Sequence, residues 1–287
     1  MKTSLEVKYR LKLSRWQWRR AQAASQWGRD SLMRMPVVIG NSMPKSGSHL
    51  IIQILEGLTG LGPFVNPGMP PLNRNHENHN LPQDEIIKNL NRLRPGDIGY
   101  CYLKAEEPYL TELTRPGRAS LFIYRDPRDM IVSHVFYATD MHPSHSMHKY
   151  YTEQLGSMEE RINAAIVGVQ DPANPLTPIA VKFQQYLGWL NQPLVLSLRF
   201  EELILEREDA LRKILAYLRG HGFEPPQGED KALQVLAIAI QPKRSGTYRK
   251  GQPGNWREHF TSQNIATFKE ATGNLLIELG YEKDMDW

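Results

Sequence analysis

The sequence predicts an α/β protein with a central parallel sheet flanked by helices, and three observations predict it. Short apolar runs of strand length recur at Val37-Val38-Ile39-Gly40, at Ser120-Leu121-Phe122-Ile123-Tyr124 and between Pro193 and Phe200, each bounded by turn residues. A stretch of helical character follows each of them, at Leu50 to Glu56, Pro127 to Tyr137 and around Ala210 to Leu215. Strands alternating with helices need crossover connections, so the strands run parallel and helices cover the sheet. The 287 residues are 40% hydrophobic and 23% charged, with no internal repeat, which suits one large globular domain.

Taken in order, residues 1–34 form a basic leader in which Lys8, Arg10, Lys12, Arg15, Arg19 and Arg20 interleave with Leu11, Leu13, Trp16 and Trp18. Two readings stand for it: a surface helix in weak contact with anionic lipid or an acidic partner, or a solvated helix packed on the domain. It has neither an uninterrupted apolar core nor a small-residue cleavage site, and no segment has the roughly 18 apolar residues that span a bilayer. A net charge of +4 is too small an excess to argue for nucleic acid. A single cysteine, Cys101, rules out an internal disulfide framework and suits a reducing, cytoplasmic setting.

Residues 35–287 are expected to form the main domain. The first strand runs into a turn-rich loop and then a helix. Residues 60–82 are rich in Pro, Gly, Asn and His and read as a long irregular loop, a feature that in a compact domain is usually functional or mobile. A second strand is expected over Ile98 to Leu103. The third is ended by Arg125-Asp126-Pro127, with the proline suited to the first turn of a helix. A second histidine-rich loop spans Thr139 to His148, and from Lys231 onward helical stretches surround a polar loop from Lys243 to Trp256.

The first strand–loop–helix, Gly40-Asn41-Ser42-Met43-Pro44-Lys45-Ser46-Gly47-Ser48, has the makings of a phosphate cradle, because backbone amides, a helix N-terminus and a lysine converge on one anion. Its lysine precedes the second glycine, so it lacks the Gly-Lys-Ser/Thr order of a nucleoside-triphosphate loop. A tight strand-to-helix turn would use similar residues with no ligand at all.

Pro44-Lys45-Ser46-Gly47-Ser48 resembles the 5′-phosphosulfate loop of the cytosolic sulfotransferases, usually Pro-Lys-Ser-Gly-Thr-Thr-Trp. Tyr124-Arg125-Asp126-Pro127-Arg128-Asp129-Met130-Ile131-Val132-Ser133 is similar to that family's 3′-phosphate segment, with its Arg and, eight positions later, its Ser. Arg249-Lys250-Gly251 to Phe260 is similar to its Arg-Lys-Gly-x-x-Gly-Asp-Trp-Lys-x-His-Phe stretch, and Leu198 to Leu203 more weakly to Leu-Arg-Tyr-Glu-Asp-Leu. In family order these segments run from about residue 37 to about residue 262.

The resemblance implies a P-loop-like nucleotide-binding architecture and a sulfotransferase using 3′-phosphoadenosine-5′-phosphosulfate (PAPS) as donor, with 3′-phosphoadenosine-5′-phosphate (PAP) as product and no metal. Lys45, Ser46, Gly47, Ser48 and His49 would hold the phosphosulfate, with Lys45 steadying charge on the bridging oxygen. Arg125, Ser133, Arg249, Lys250 and Gly251 would hold the 3′-phosphate. His49 and Leu50 replace the second Thr and the Trp of the usual loop, so stacking on that tryptophan is lost.

The family's general base is a histidine in a Lys-Thr-His-Leu-Pro-like stretch. Tyr100-Cys101-Tyr102-Leu103-Lys104 aligns with it, putting Tyr102 in place of the histidine and Tyr100 in place of the lysine. A free tyrosine titrates near 10, so Tyr102 needs a cation such as Lys104 to act as a base. Glu106, Glu107, His134, His76 and His79 are other candidates. His76 with His79, and His142 with His145 and His148, are spaced three apart, but proline and asparagine argue against a zinc-binding helix face. Solvated loop histidines, some lining an acceptor cleft, are the expectation.

The acceptor is expected to be a hydroxyl or amine of a small molecule, a sugar or a lipid. The tyrosine at the base position motivates a second reading, a PAPS- or PAP-binding scaffold or sensor without transfer activity. A small-molecule kinase is a third, opposed by the missing triphosphate-loop order.

Overall fold

The computed structural model describes residues 2–241 and 251–287, with 2–10 described as helical backbone. The elements in chain order are α1 (Lys2–Trp27), α2 (Arg29–Arg34), β1 (Val37–Ser42), α3 (Ser48–Leu58), α4 (Gln83–Arg92), β2 (Ile98–Cys101), α5 (Tyr109–Thr114), β3 (Arg118–Tyr124) and α6 (Pro127–Phe136). There follow α7 (Met158–Val167), α8 (Ile179–Leu187), β4 (Val195–Arg199), α9 (Phe200–Leu205), α10 (Arg207–Gly220), α11 (Glu229–Ala239), α12 (Ser262–Thr272) and α13 (Leu275–Glu278). The chain divides into two compact units, residues 1–124 with 189–242, and residues 125–188 with 243–287.

The first unit holds the sheet. Its four strands are all parallel, in the order β2-β1-β3-β4. β1 and β3 are buried along their whole length, which is why they read as continuous apolar runs rather than alternating ones. On one face Val38, Ala119, Leu121, Ile123 and Leu198 join Ile51, Ile54 and Leu55 of α3 and Leu211, Ile214 and Leu236 of α10 and α11 in a single core. Each of these large aliphatic side chains contributes about 1.5–3 kcal/mol on full burial. Gly40 lets α3 lie close on β1, since a Cβ there would come 2.9 Å from Ile51 Cγ1. On the opposite face Phe122 meets Trp189, ring centroids 6.4 Å apart.

α1 presents Leu13, Trp16, Ala23 and Trp27 to this unit, a spacing close to the helical period. Trp16 Nε1 and Arg20 both donate to the buried carboxylate of Asp97, at 3.0 and 2.8 Å. Leu11 and Trp18 on the same helix are more than half exposed. Residues 60–82 are irregular, as expected, and lie along the outer edge of β2: Leu72 donates to the Tyr100 carbonyl at 2.8 Å. The loop thereby covers an otherwise open sheet edge.

In the second unit α7 packs against α6 and α12. The α7–α12 contact is pinned by fully buried Asn264, whose amide donates to the Glu159 carbonyl and to Asn163 Oδ1. α6 begins as predicted, with Pro127 in its first turn and the Asp126 side chain capping the Arg128 amide. The 139–148 segment departs from the expected solvated loop. It opens with a π-helical turn over Tyr137–Met141, and His142 and His145 are half-buried against the Tyr137 ring at 5.2 and 5.7 Å. His148 is tied to the Ala138 carbonyl at 2.8 Å.

Candidate active site

The connections out of β1, to β2, and out of β3, to β4, leave on opposite sides of the strand order, so the carboxyl ends of these two strands form the topological switch point where open α/β sheets bind ligands. The Met43 amide, just past β1, donates to the Ile123 carbonyl at 3.3 Å and ties the two ends together. Beyond it the backbone takes positive φ twice, at Lys45 (68°) and Gly47 (98°). Glycine adopts this region freely, whereas a lysine there costs about 1 kcal/mol.

The Ser46 amide closes the turn on the Met43 carbonyl at 3.2 Å, and the Gly47 carbonyl receives the amides of Leu50 and Ile51. Gly47 is the N-cap of α3, so Ser48 and His49 sit in the first turn, where the helix itself leaves amides unpaired and the dipole favours anions. A Cβ on Gly47 would lie 2.6 Å from Phe200 Cδ2. Burial, and then the neighbouring Lys45 charge, hold the His49 imidazole below its usual range.

β2 lies beside β1 in parallel, with Asn41 opposite Cys101. The residues expected to carry the base therefore follow β2 next to the Lys45 loop. Two asparagines grip that segment by its main chain. Asn73 accepts from the Tyr102 amide and donates to the Tyr102 carbonyl, both at 3.0 Å. Asn41 does the same to Leu103, at 2.8 and 3.0 Å, and Trp189 Nε1 also donates to the Leu103 carbonyl.

The cation against Tyr102 is Arg74, its guanidinium 4.5 Å from the ring centroid, a residue the sequence reading passed over. Lys104, proposed for that part, is exposed. Tyr100 is pushed up to about 12, chiefly by burial and then by Tyr102 and Glu56, so it stays protonated at neutral pH. Cys101 is buried, and burial raises its thiol too far for a nucleophile.

In the second unit Arg125 follows directly on β3 and pairs with the buried carboxylate of Asp129 at 3.6 Å. Asp129 also accepts the amides of Gly254 and Trp256 at 2.8 and 2.9 Å. Burial raises its pKa, while Arg125 and these two amides draw it back. One carboxylate thus links Arg125 to the start of the glycine-rich C-terminal segment, where Gly251 and Gly254 take φ of 62° and 78°. Arg249 and Lys250 lie outside the described residues.

Ser133 is half-buried on α6. Next to it, the His134 ring stands edge-on to His145 at 5.3 Å and Tyr151 at 5.8 Å. Arg128 is structural: it is 2% exposed, pairs with Asp126 and Glu282, and lies over the rings of Trp256 and Trp287 at 4.1 and 4.6 Å. His76 and His79 are exposed; His76 bonds to Lys12 at 3.0 Å and His79 lies 3.5 Å from Glu77. Among the described residues no group of three or more His, Cys, Asp or Glu is placed to hold a metal ion, and no helix is long and apolar enough to cross a membrane.

Residues 115–280, more than half of the chain, match the family model for the sulfotransferase domain. The chain belongs to the sulfotransferase family. Among solved structures, the sulfotransferase resembles mouse sulfotransferase SULT7A1 complexed with PAP, with a TM-score of 0.60 and 18% identity over 90% of each chain. It also resembles retinol dehydratase in complex with androsterone and inactive cofactor PAP, with a TM-score of 0.56 and 14% identity over 90% of this chain and 84% of that one. The same enzyme with retinol and PAP gives 0.52 and 14%, over 90% and 85%. At such identities the likeness speaks for the fold. A comparison of the sulfotransferase with curated protein sequences finds no match.

Proposed function

We propose that this sulfotransferase moves a sulfuryl group from PAPS to a hydroxyl or amine of a small-molecule, sugar or lipid acceptor, releasing PAP. The observation that carries the reading is the pairing of two strand ends: the Lys45 loop after β1, and Tyr102 held by Asn73 and Arg74 after β2. PAP in the complexes of the structural relatives supports the donor, and androsterone and retinol in two of them suit a small apolar acceptor. Buried Cys101 suits a cytoplasmic setting.

In the step proposed, the acceptor oxygen or nitrogen attacks sulfur as the bond from sulfur to the 5′-phosphate oxygen breaks, and charge gathers on that leaving oxygen. Lys45 and the first turn of α3 stabilise it, the kind of preorganised electrostatic help that is most valuable in the transition state. Arg125, Ser133, Arg249, Lys250 and Gly251 are assigned to the 3′-phosphate. The acceptor's proton goes to Tyr102, over whose ring Arg74 lies; His134, within its aromatic cluster, is the alternative acceptor of that proton.

The replacement of the expected histidine by Tyr102 also favours a second reading, a PAP-binding scaffold without turnover. One experiment separates them: labelled PAPS is incubated with a panel of alcohols, phenols and amines, and PAP binding is measured calorimetrically on the same sample. Labelled product supports the transferase. Tight PAP binding with no product from any acceptor supports the scaffold, and absence of both sinks the donor assignment.

A further inference from the structure

Away from the Lys45 loop, the first unit has a cavity of about 240 Å³ between α1, the 67–81 segment and α4. Its walls are largely apolar, built from Leu13, Trp16, Met69, Pro70, Leu72 and Leu81, yet Lys12, Arg74 and Arg92 also line it and no aspartate or glutamate does. Among the described residues neither Lys12 nor Arg74 pairs with a carboxylate. Lys12 bonds to the His76 imidazole at 3.0 Å. Arg74 bonds to the Asn78 amide oxygen at 2.8 Å and lies over the Tyr102 ring. Among the described residues the buried Arg74 Nε has no acceptor, an arrangement that is costly unless something supplies one.

Apolar walls beside the half-buried Arg74 weaken solvent screening of its charge and so strengthen its hold on an anion. A neutral apolar molecule would fill the volume and offer Lys12 and Arg74 no counter-charge; a small inorganic anion would offer one and leave the walls wet; a cation would be repelled. We propose that this cavity binds an amphipathic anion, a short apolar chain or ring carrying one carboxylate, phosphate or sulfate head. The apolar body lies against Trp16 and Leu72, and the head meets Lys12, Arg74 and Arg92. Arg74 connects the occupant to Tyr102, but binding here requires neither the donor nor turnover.

The test is calorimetric titration of the full chain, without donor, using octanoate, 1-octanol and octylamine. Octanoate is expected to bind at one site, 1-octanol roughly tenfold or more weakly, and octylamine not measurably. The doubly charge-reversed variant Lys12→Glu, Arg92→Glu, altered at two exposed positions, should lose about tenfold or more in octanoate affinity with 1-octanol unchanged. Met69→Trp, which fills the cavity without changing its charge, should abolish the binding of both. Equal affinity for octanoate and 1-octanol, no octanoate binding to the native chain, or indifference to the charge reversal would each overturn the proposal. PAP titrated into the same preparations tests the donor assignment separately, since its failure would leave the octanoate result standing.

Discussion

Removing the Asp129 carboxylate should loosen the grip on the donor's 3′-phosphate far more than it disturbs the 5′ end. Asp129 is 1% exposed and holds three groups at once: Arg125 at 3.6 Å and the amides of Gly254 and Trp256 at 2.8 and 2.9 Å. Hydrogen bonds to an ionised acceptor are worth about 1.5–3 kcal/mol each, and an amide left buried without one costs about 1–3 kcal/mol. Breaking a buried pair by deleting one partner costs about 3–5 kcal/mol in all.

Asp129→Ala should therefore lose several kcal/mol of a total that is about 5–15 for an ordinary domain, enough to threaten folding. Asp129→Asn is the better perturbation, because it keeps one acceptor oxygen and the volume while removing the charge. We expect a lowered melting temperature and a loss of roughly tenfold to a hundredfold in PAP affinity, from about 1.4–2.8 kcal/mol no longer spent on fixing Arg125 and the segment beginning at Gly251. The assay is calorimetric titration of PAP beside adenosine 5′-phosphosulfate, which lacks the 3′-phosphate. If a folded Asn variant binds PAP unchanged, or if the two ligands weaken equally, the reasoning fails.

Four further outcomes are expected. Lys45→Ala should lower kcat by about a hundredfold to a thousandfold with a smaller effect on PAP affinity, because its charge is needed most on the departing oxygen; unchanged turnover in rapid-quench measurements refutes the role. Asn73→Ala should reduce kcat by about tenfold to a hundredfold through misplacement of Tyr102 while calorimetric PAP affinity holds. An anion set against Lys45 should raise the depressed His49 pKa, so PAP affinity should tighten as pH falls through the range in which the imidazole gains its proton by more in the native chain than in His49→Gln, whose residual slope reports the ligand's own phosphates; identical profiles remove His49 from the site. Gly47→Ala should destabilise by about 1–3 kcal/mol in chemical denaturation, and adding Phe200→Leu should restore only part of it, since the Cβ clash is relieved but φ of 98° is not.

Much of the fold was legible because a buried parallel strand has a plain sequence signature. Val37 to Gly40 and Ser120 to Tyr124 are apolar on both faces, so neither run can be mistaken for a surface element. β2 was harder: it is only four residues long and its two middle residues are half-buried, and its true end at Cys101 comes before Tyr102 because side chains of Asn41 and Asn73, not a neighbouring strand, take over the backbone groups. The Lys45 loop was readable from its glycine and its place after a strand. Arg74 was not, because an arginine in an irregular segment has no periodicity to give its direction; the bonds from Leu72 to the Tyr100 carbonyl and between Asn73 and the Tyr102 main chain place it over Tyr102. Asp129 likewise read as one charge in a charged helix start, since two of its partners, Gly254 and Trp256, are more than a hundred residues away. The packing of His142 and His145 on nearby Tyr137 was missed for a different reason, as polar composition alone suggests solvent.

The asparagine grip on residue 102 touches only that residue's amide and carbonyl, so the geometry of the main chain at this position is set without reference to the side chain it carries. The position therefore behaves as a socket. A tyrosine, a histidine or a glutamate presented there would start from the same Cα and point along the same bond, which separates the question of which group takes the proton from the question of where it stands. Exchanging Tyr102 for histidine should leave the architecture alone, and a lineage in which this residue drifts can alter its chemistry without first having to refold.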